Sequence, residues 1–258
     1  MNDIVYEIVI LFGCVAFAGG VVVIWKNPLH KRSALLLSFS GAYLLGLCLS
    51  HLLPGIFGSE LWRPGIWIVG GFFIQILLEF LSKGVEHGHY HGPDDGHDHH
   101  GHDHGHDHSH SHGVLEGQSK LPWAIMGGIC LHAFFEGMPF GADGHQHSLL
   151  WGIVIHKVPV AFVLAGMFLS SGFSTKKAML LLLIFAAMSP LGTLAYVGIT
   201  ATGLVDDLEL MAHAANALLV GILLHVSTTI LFESSDGHRF NRAKFITIVI
   251  GITLAFFT

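Results

Sequence analysis

Long apolar stretches alternate with short polar connections along the whole chain. Eight can be marked, at residues 4–25, 33–57, 64–82, 121–142, 149–172, 178–202, 210–232 and 243–257. An α-helix needs roughly 20 apolar residues to cross the hydrocarbon core of a bilayer. The first six stretches meet that length. The eighth is short, and Lys244 near its start can snorkel to the interface. The pattern predicts an all-α, polytopic membrane protein with eight transmembrane helices. The first stretch follows Met1-Asn2-Asp3, which lacks the basic region of a signal peptide, so it is read as a helix that is kept.

Cationic residues set the orientation. The connections after spans 1, 3, 5 and 7 hold Lys26, Lys31, Arg32, Lys83, Lys120, Lys176, Lys177, Arg239, Arg242 and Lys244. Those after spans 2, 4 and 6 hold only Arg63, and carry Glu60, Asp143, Asp206, Asp207 and Glu209 instead. The positive side is cytoplasmic, so both termini are expected on the extracytoplasmic side. The strict alternation also supports the span count.

Composition agrees with this reading. Charged residues make up 12% of the chain and hydrophobic ones 52%, with a mean hydropathy of +0.63. A soluble domain carries about 25% charged residues. The net charge is -6 with histidine neutral, and the cations are too scattered for a nucleic-acid surface. Cys14, Cys48 and Cys130 all lie in apolar runs and read as small apolar side chains, not a disulfide framework or a cysteine zinc site. The acidic outer connections and compact length point to a bacterial inner membrane.

The chain divides into residues 1–84 with spans 1–3, a connection at 85–120, and residues 121–258 with spans 4–8. The connection is low-complexity Gly/His/Asp without apolar periodicity, so it cannot build a core and is expected to be disordered. Twelve of the chain's 21 histidines fall between His87 and His112, among them His97, His99, His100, His102, His104, His106 and His108. Imidazoles interleaved with Asp make a weak, multi-site binder for zinc-like ions. Such a tract indicates metal and leaves the direction of transport open.

The more informative signal lies inside the spans. Span 4 reads Cys130-Leu131-His132-Ala133-Phe134-Phe135-Glu136-Gly137-Met138-Pro139. His132 and Glu136, four apart, share one helix face. Gly137 permits close approach of a neighbour. Pro139 cannot donate to Phe135, which predicts a kink and a freed carbonyl. Span 5 repeats the arrangement with His156, Lys157 and Pro159, the last freeing the carbonyl of Ile155. Two Pro-interrupted helices carrying His, Glu and His suit a midplane cation site. Two imidazoles and a carboxylate match a three-ligand zinc site with an open position. The competing reading is that both histidines are satisfied interior residues and that Glu136 pairs with Lys157. His51, Glu79, His225 and Glu233 lie in or at the ends of other spans and are candidates for a path on either side. His213 with Asn216, and His145 with His147, are weaker candidates.

At these residues the chain resembles the ZIP family of divalent-metal transporters. His132, Glu136, Gly137 and Gly141 match the family's fourth helix, and His156-Lys157 matches a variant of its fifth. His51-Leu52-Leu53-Pro54 and Ser189-Pro190-Leu191-Gly192 resemble its second and sixth. The resemblance implies eight helices in an inverted 3+2+3 repeat, with both termini outside and a cytoplasmic His-rich loop after the third. It also implies uptake into the cytoplasm by an elevator-like motion of helices 1, 4, 5 and 6 against 2, 3, 7 and 8. In members with two adjacent metals, the second site uses positions that are here Ala133, Lys157 and Val160. A single central metal at His132, Glu136 and His156 is therefore expected, with Lys157 where the second ion would sit. Zinc is the leading substrate, with cadmium, iron and manganese open to the same ligands. Protons should compete for the imidazoles, so transport weakens as pH falls. No enzyme activity, nucleotide or resident cofactor is implied; the partners are the divalent ion and the lipid bilayer, and a homodimer is compatible.

Two rival readings are an exporter of the cation-diffusion type and a membrane metalloenzyme. The first usually has six spans and a soluble tail. The second would show His-Glu-x-x-His or ordered His boxes, neither of which occurs here.

Overall fold

The computed structural model describes residues 2–25, 30–59, 63–82, 123–142, 147–203, 205–233 and 242–257. Among these, all regular structure is helical and no strand occurs. The helices are α1 (Asn2–Trp25), α2 (His30–Leu47), α3 (Leu53–Phe57), α4 (Pro64–Ser82), α5 (Trp123–Gly137), α6 (His147–Ser170), α7 (Thr175–Ala201), α8 (Leu208–Glu233) and α9 (Arg242–Ala255). Spans at Asp3–Trp25, Leu35–Phe57, His147–Ser170, Thr175–Ala201 and Leu208–Phe232 are long and apolar enough to cross a membrane. Pro64–Phe80 is apolar and shorter. Helices satisfy their own backbone polar groups, so they suit an environment without water.

Local sequence explains where these helices start and bend. Ser174 caps α7 by accepting from the Lys177 amide at 3.4 Å. Asp207, counted above only as outer acidic charge, accepts from the Leu210 amide at 2.9 Å and caps α8. Between α2 and α3 one wide π turn, Cys48–Leu52, carries His51. Pro54 lacks an N–H and would press on the carbonyl four residues back. The chain answers with the wider turn, in which the Leu53 amide donates to Cys48, while the Ser50 hydroxyl donates to the Gly46 carbonyl at 2.7 Å. Span 4 breaks as expected: α5 ends at Gly137 and continues as a 3-10 turn, Met138–Gly141, containing Pro139. Span 5 does not. α6 runs unbroken through the buried Pro159, correcting the expectation of two interrupted helices. One missing hydrogen bond in a 24-residue helix, held by neighbours, is not enough to end it.

The helices fall into two packing groups. In one, α7 packs against α1, α5 and α6, and α1 also against α6; in the other, α8 packs against α2 and α4, and α9 against α2. The seam between them is formed mainly by α2 against α6 and α4 against α5. The first group has its own apolar core, with Val22, Ala133, Leu164, Phe168, Leu182 and Phe185 among its buried members.

Each group contains a pair of helices in backbone contact. A Cβ on Gly71 of α4 would collide with the Leu218 carbonyl, and one on Gly221 of α8 with that of Ile68. Between α5 and α7, a Cβ on Gly137 would strike Ser189, and one on Gly192 would strike the Phe134 carbonyl. The α5–α7 pair is further tied by hydroxyls. Ser189 donates to the Ala133 carbonyl at 2.7 Å and Thr193 to that of Gly137 at 2.8 Å. Small residues let helices approach this closely in lipid, and hydroxyls then bond across the gap. Gly137→Ala should therefore destabilise the protein by about 1–3 kcal/mol through overpacking, read as a lowered Tm in detergent. Gly127→Ala on the same helix meets nothing within 4 Å and should leave Tm unchanged or raise it. Equal Tm values for the two variants would contradict this packing.

Candidate metal centre

α5 and α6 project their polar residues to one place beside the seam. On α5, His132 and Glu136 are one helical turn apart, with Nε2 of the histidine 3.2 Å from Oε1 of the carboxylate. On α6, His156 brings its ring to within 6.3 Å of the His132 ring, centroid to centroid. One ligand atom from each of His132, Glu136 and His156 lies within 4.8 Å of the other two. All three residues are buried, Glu136 being 1% exposed. This is the grouping that the sequence predicted.

Charge at the site is balanced internally. The Lys157 ammonium donates to Glu136 Oε2 at 2.5 Å and is itself buried. It also lies 5.4 Å from the centroid of the Phe185 ring. The ion pair considered from sequence is therefore present, together with the trio and not instead of it. Two buried side-chain atoms, Glu136 Oε1 and His156 Nδ1, have no hydrogen-bond partner. Buried polar atoms are normally satisfied. Both orphaned atoms belong to the same trio, and both are suited to bind a cation.

Gln75 was missed. Its side chain, 0% exposed on α4, places Oε1 2.8 Å from His132 Nδ1. The available signal was a lone amide in the apolar run Phe72-Phe73-Ile74-Gln75-Ile76-Leu77, one helical turn before Glu79. A primary amide carries no charge and did not stand out. The carbonyls expected to be freed are those of Phe135 and Ile155; two others on α5 are engaged by hydroxyls. Those of Ala133 and Gly137 accept from α7.

The remaining candidates are dispersed. Glu79 and His225 form a second pair, Oε2 to Nε2 at 3.5 Å, between α4 and α8. The His225 ring sits against the Phe72 edge, with centroids 4.8 Å apart. His51 is exposed on the π turn, its Nδ1 2.7 Å from the Ser50 hydroxyl. His213 lies 3.7 Å from Glu209. The Glu233 side chain, His145 and the histidines from His97 to His108 lie outside the described residues. Of the second-metal positions, Ala133 is fully buried and Val160 half-buried.

A partly open cavity is lined at one end by His132 and His156. Beyond them its walls are apolar, with Leu37 of α2, Val160 and Met167 of α6, and Val226 and Ile230 of α8. Along α6 the cavity lies C-terminal to His156. N-terminal to it, Leu149, Leu150 and Ile153 pack with Leu11, Leu44 and Leu219 and close the seam.

Apolar spans around a buried, internally balanced His/Glu/His trio define a membrane protein built to handle cations. The chain belongs to the ZIP zinc transporter family, whose model matches residues 4–258. That is a family of divalent-metal transporters, not of enzymes. No curated protein is matched by the chain.

The Lys157 charge opposes any cation entering beside Glu136. Unit charges about 4 Å apart repel by about 4 kcal/mol at an effective dielectric near 20. Lys157→Met should therefore bind a divalent ion at least tenfold more tightly. It should also weaken the ion-free protein, because losing one partner of a buried pair costs about 3–5 kcal/mol. The cation-induced rise in Tm should be larger than in wild type; an equal or smaller rise would contradict this.

Proposed function

We propose that this chain carries a divalent transition metal, zinc foremost, into the cytoplasm through one central site made by His132, Glu136 and His156. The observation that carries this reading is the buried trio whose ligand atoms converge within 4.8 Å, two of them without hydrogen-bond partners. Two imidazoles and one carboxylate with an open position suit zinc. Cadmium, iron and manganese are accommodated by the same donor types. Lys157 takes the place of a second ion.

Eight transmembrane helices, an inverted 3+2+3 repeat and extracytoplasmic termini complete the proposed architecture. The two packing groups match the division that an elevator-like movement requires. The cavity leads from the site toward the ends of α2 and α6 that border Lys31, Arg32, Lys176 and Lys177. On the positive-inside rule these are cytoplasmic ends, which supports an inward-facing arrangement. Glu79, one turn further along α4 from Gln75, and its partner His225 on α8 are proposed as a step toward the His-rich loop. That loop, at 85–120, is proposed as a metal reservoir. An inner-membrane location in a bacterium, and assembly as a homodimer, belong to the same reading. Neither rival draws support from the fold or the family.

Uptake of zinc and cadmium into proteoliposomes tests this. Glu136→Ala and His156→Ala should each abolish flux to at least a hundredfold below wild type, while deletion of residues 86–112 leaves it. Flux should also fall as pH drops, because protons compete with metal for the imidazoles. Flux indifferent to Glu136 and His156 would overturn the site assignment.

A further inference from the structure

We infer that Gln75 is a positioning residue for the central site, selecting which nitrogen of His132 is offered to the metal. The inference rests on the proposed site at His132, Glu136 and His156. An amide oxygen can only accept, so the 2.8 Å contact between Gln75 Oε1 and His132 Nδ1 puts the imidazole proton on Nδ1. A neutral ring has one proton. Nε2 therefore presents a lone pair, and it does so 3.2 Å from Glu136 Oε1. That carboxylate oxygen makes no hydrogen bond to the ring or to any other group, so two electron-rich atoms lie side by side. A cation relieves the opposition by binding both.

The alternative tautomer closes the site. With its proton on Nε2, His132 would donate to Glu136 Oε1, satisfying both groups without any ion. The spacing of four residues on α5 keeps the two atoms 3.2 Å apart, so a turn of the ring would complete that bond. Gln75 is the group that opposes it. In that tautomer the Gln75 amide would have to turn over to donate to Nδ1; in the orientation seen here its buried oxygen would lose this donor, at a cost of about 1–3 kcal/mol. Partners beyond the ligands commonly fix the histidine tautomer at metal sites, and their loss typically weakens binding by about 10–100-fold.

The position of Gln75 in the fold adds a consequence. It belongs to α4, in the packing group without ligands, whereas His132 belongs to α5 in the other. The bond crosses the seam. The open form of the site holds only while α4 lies against α5, and separation of the two would let His132 turn its proton to Glu136 and lower affinity.

Equilibrium binding of cobalt(II), followed by its visible absorption on protein lacking residues 86–112, tests this. His132→Ala, Gln75→Leu, Gln75→Glu and the double variant His132→Ala/Gln75→Leu are compared. Gln75→Leu should weaken binding about 10–100-fold. Gln75→Glu, which keeps an acceptor, should stay within a few-fold of wild type or bind more tightly. In the His132→Ala background, Gln75→Leu should add no further loss, because its effect runs through that ring. Additive losses, or Gln75→Leu binding like wild type while His132→Ala binds weakly, would overturn the positioning role and leave the site intact. Equal binding by wild type and His132→Ala would instead overturn the site itself.

Discussion

A carboxylate and an ammonium, both almost wholly buried, lie 2.5 Å apart where α5 meets α6. Neither Glu136 nor Lys157 could stay charged there alone, because an isolated buried ion costs many kcal/mol. Their pairing lets a carboxylate remain in the interior with one oxygen still uncommitted. The rest of the site follows from that. Oε2 is held by Lys157, and Oε1 is left facing the two imidazoles. A buried pair of this kind is weak evidence for stability. In the proposed reading its value lies in keeping an anionic group available to an incoming ion.

Such an arrangement needs rigid support, and the helix packing supplies it. α5 carries both His132 and Glu136, and it is clamped to α7 by facing glycines and by the hydroxyls of Ser189 and Thr193. The break at Gly137–Pro139 falls directly after Glu136, and α7 hydroxyls bond the carbonyls of Ala133 and Gly137 on either side of that residue. The second group, built on the equally close α4–α8 contact, brings no ligand to the trio, only Gln75. A site whose ligands all belong to one group, with an adjusting residue on the other, can be carried as a unit past a fixed partner. The apolar cavity on one side of the trio and the packed leucines on the other fit one end point of such a movement.

Much of this was legible in the sequence. The apolar helices and the i, i+4 pair of His132 and Glu136 follow from local rules, because membrane helices must be apolar and helical neighbours recur every turn. Other features were not. Gln75 meets His132 across 57 positions of chain, a tertiary contact that no local pattern encodes, and its uncharged amide stood out little in an apolar run. The π turn at His51 is a response to Pro54 that could equally have been a kink. Pro159 illustrates the reverse error: a proline inside an apolar run signals a lost hydrogen bond, yet packing on both sides kept α6 continuous. The His-rich loop dominates the composition, while the chemistry that decides the reading rests on three quieter residues.

A divalent ion held between His132, Glu136 and His156 would have a distinct set of nearest neighbours. X-ray absorption at the zinc edge, on zinc-loaded protein lacking residues 86–112, tests it most directly. Two imidazole nitrogens and at least one oxygen are expected at about 2.0–2.2 Å with no sulfur, with loss of imidazole scattering in His156→Ala. A sulfur ligand at about 2.3 Å, or a spectrum unchanged by His156→Ala, would contradict it.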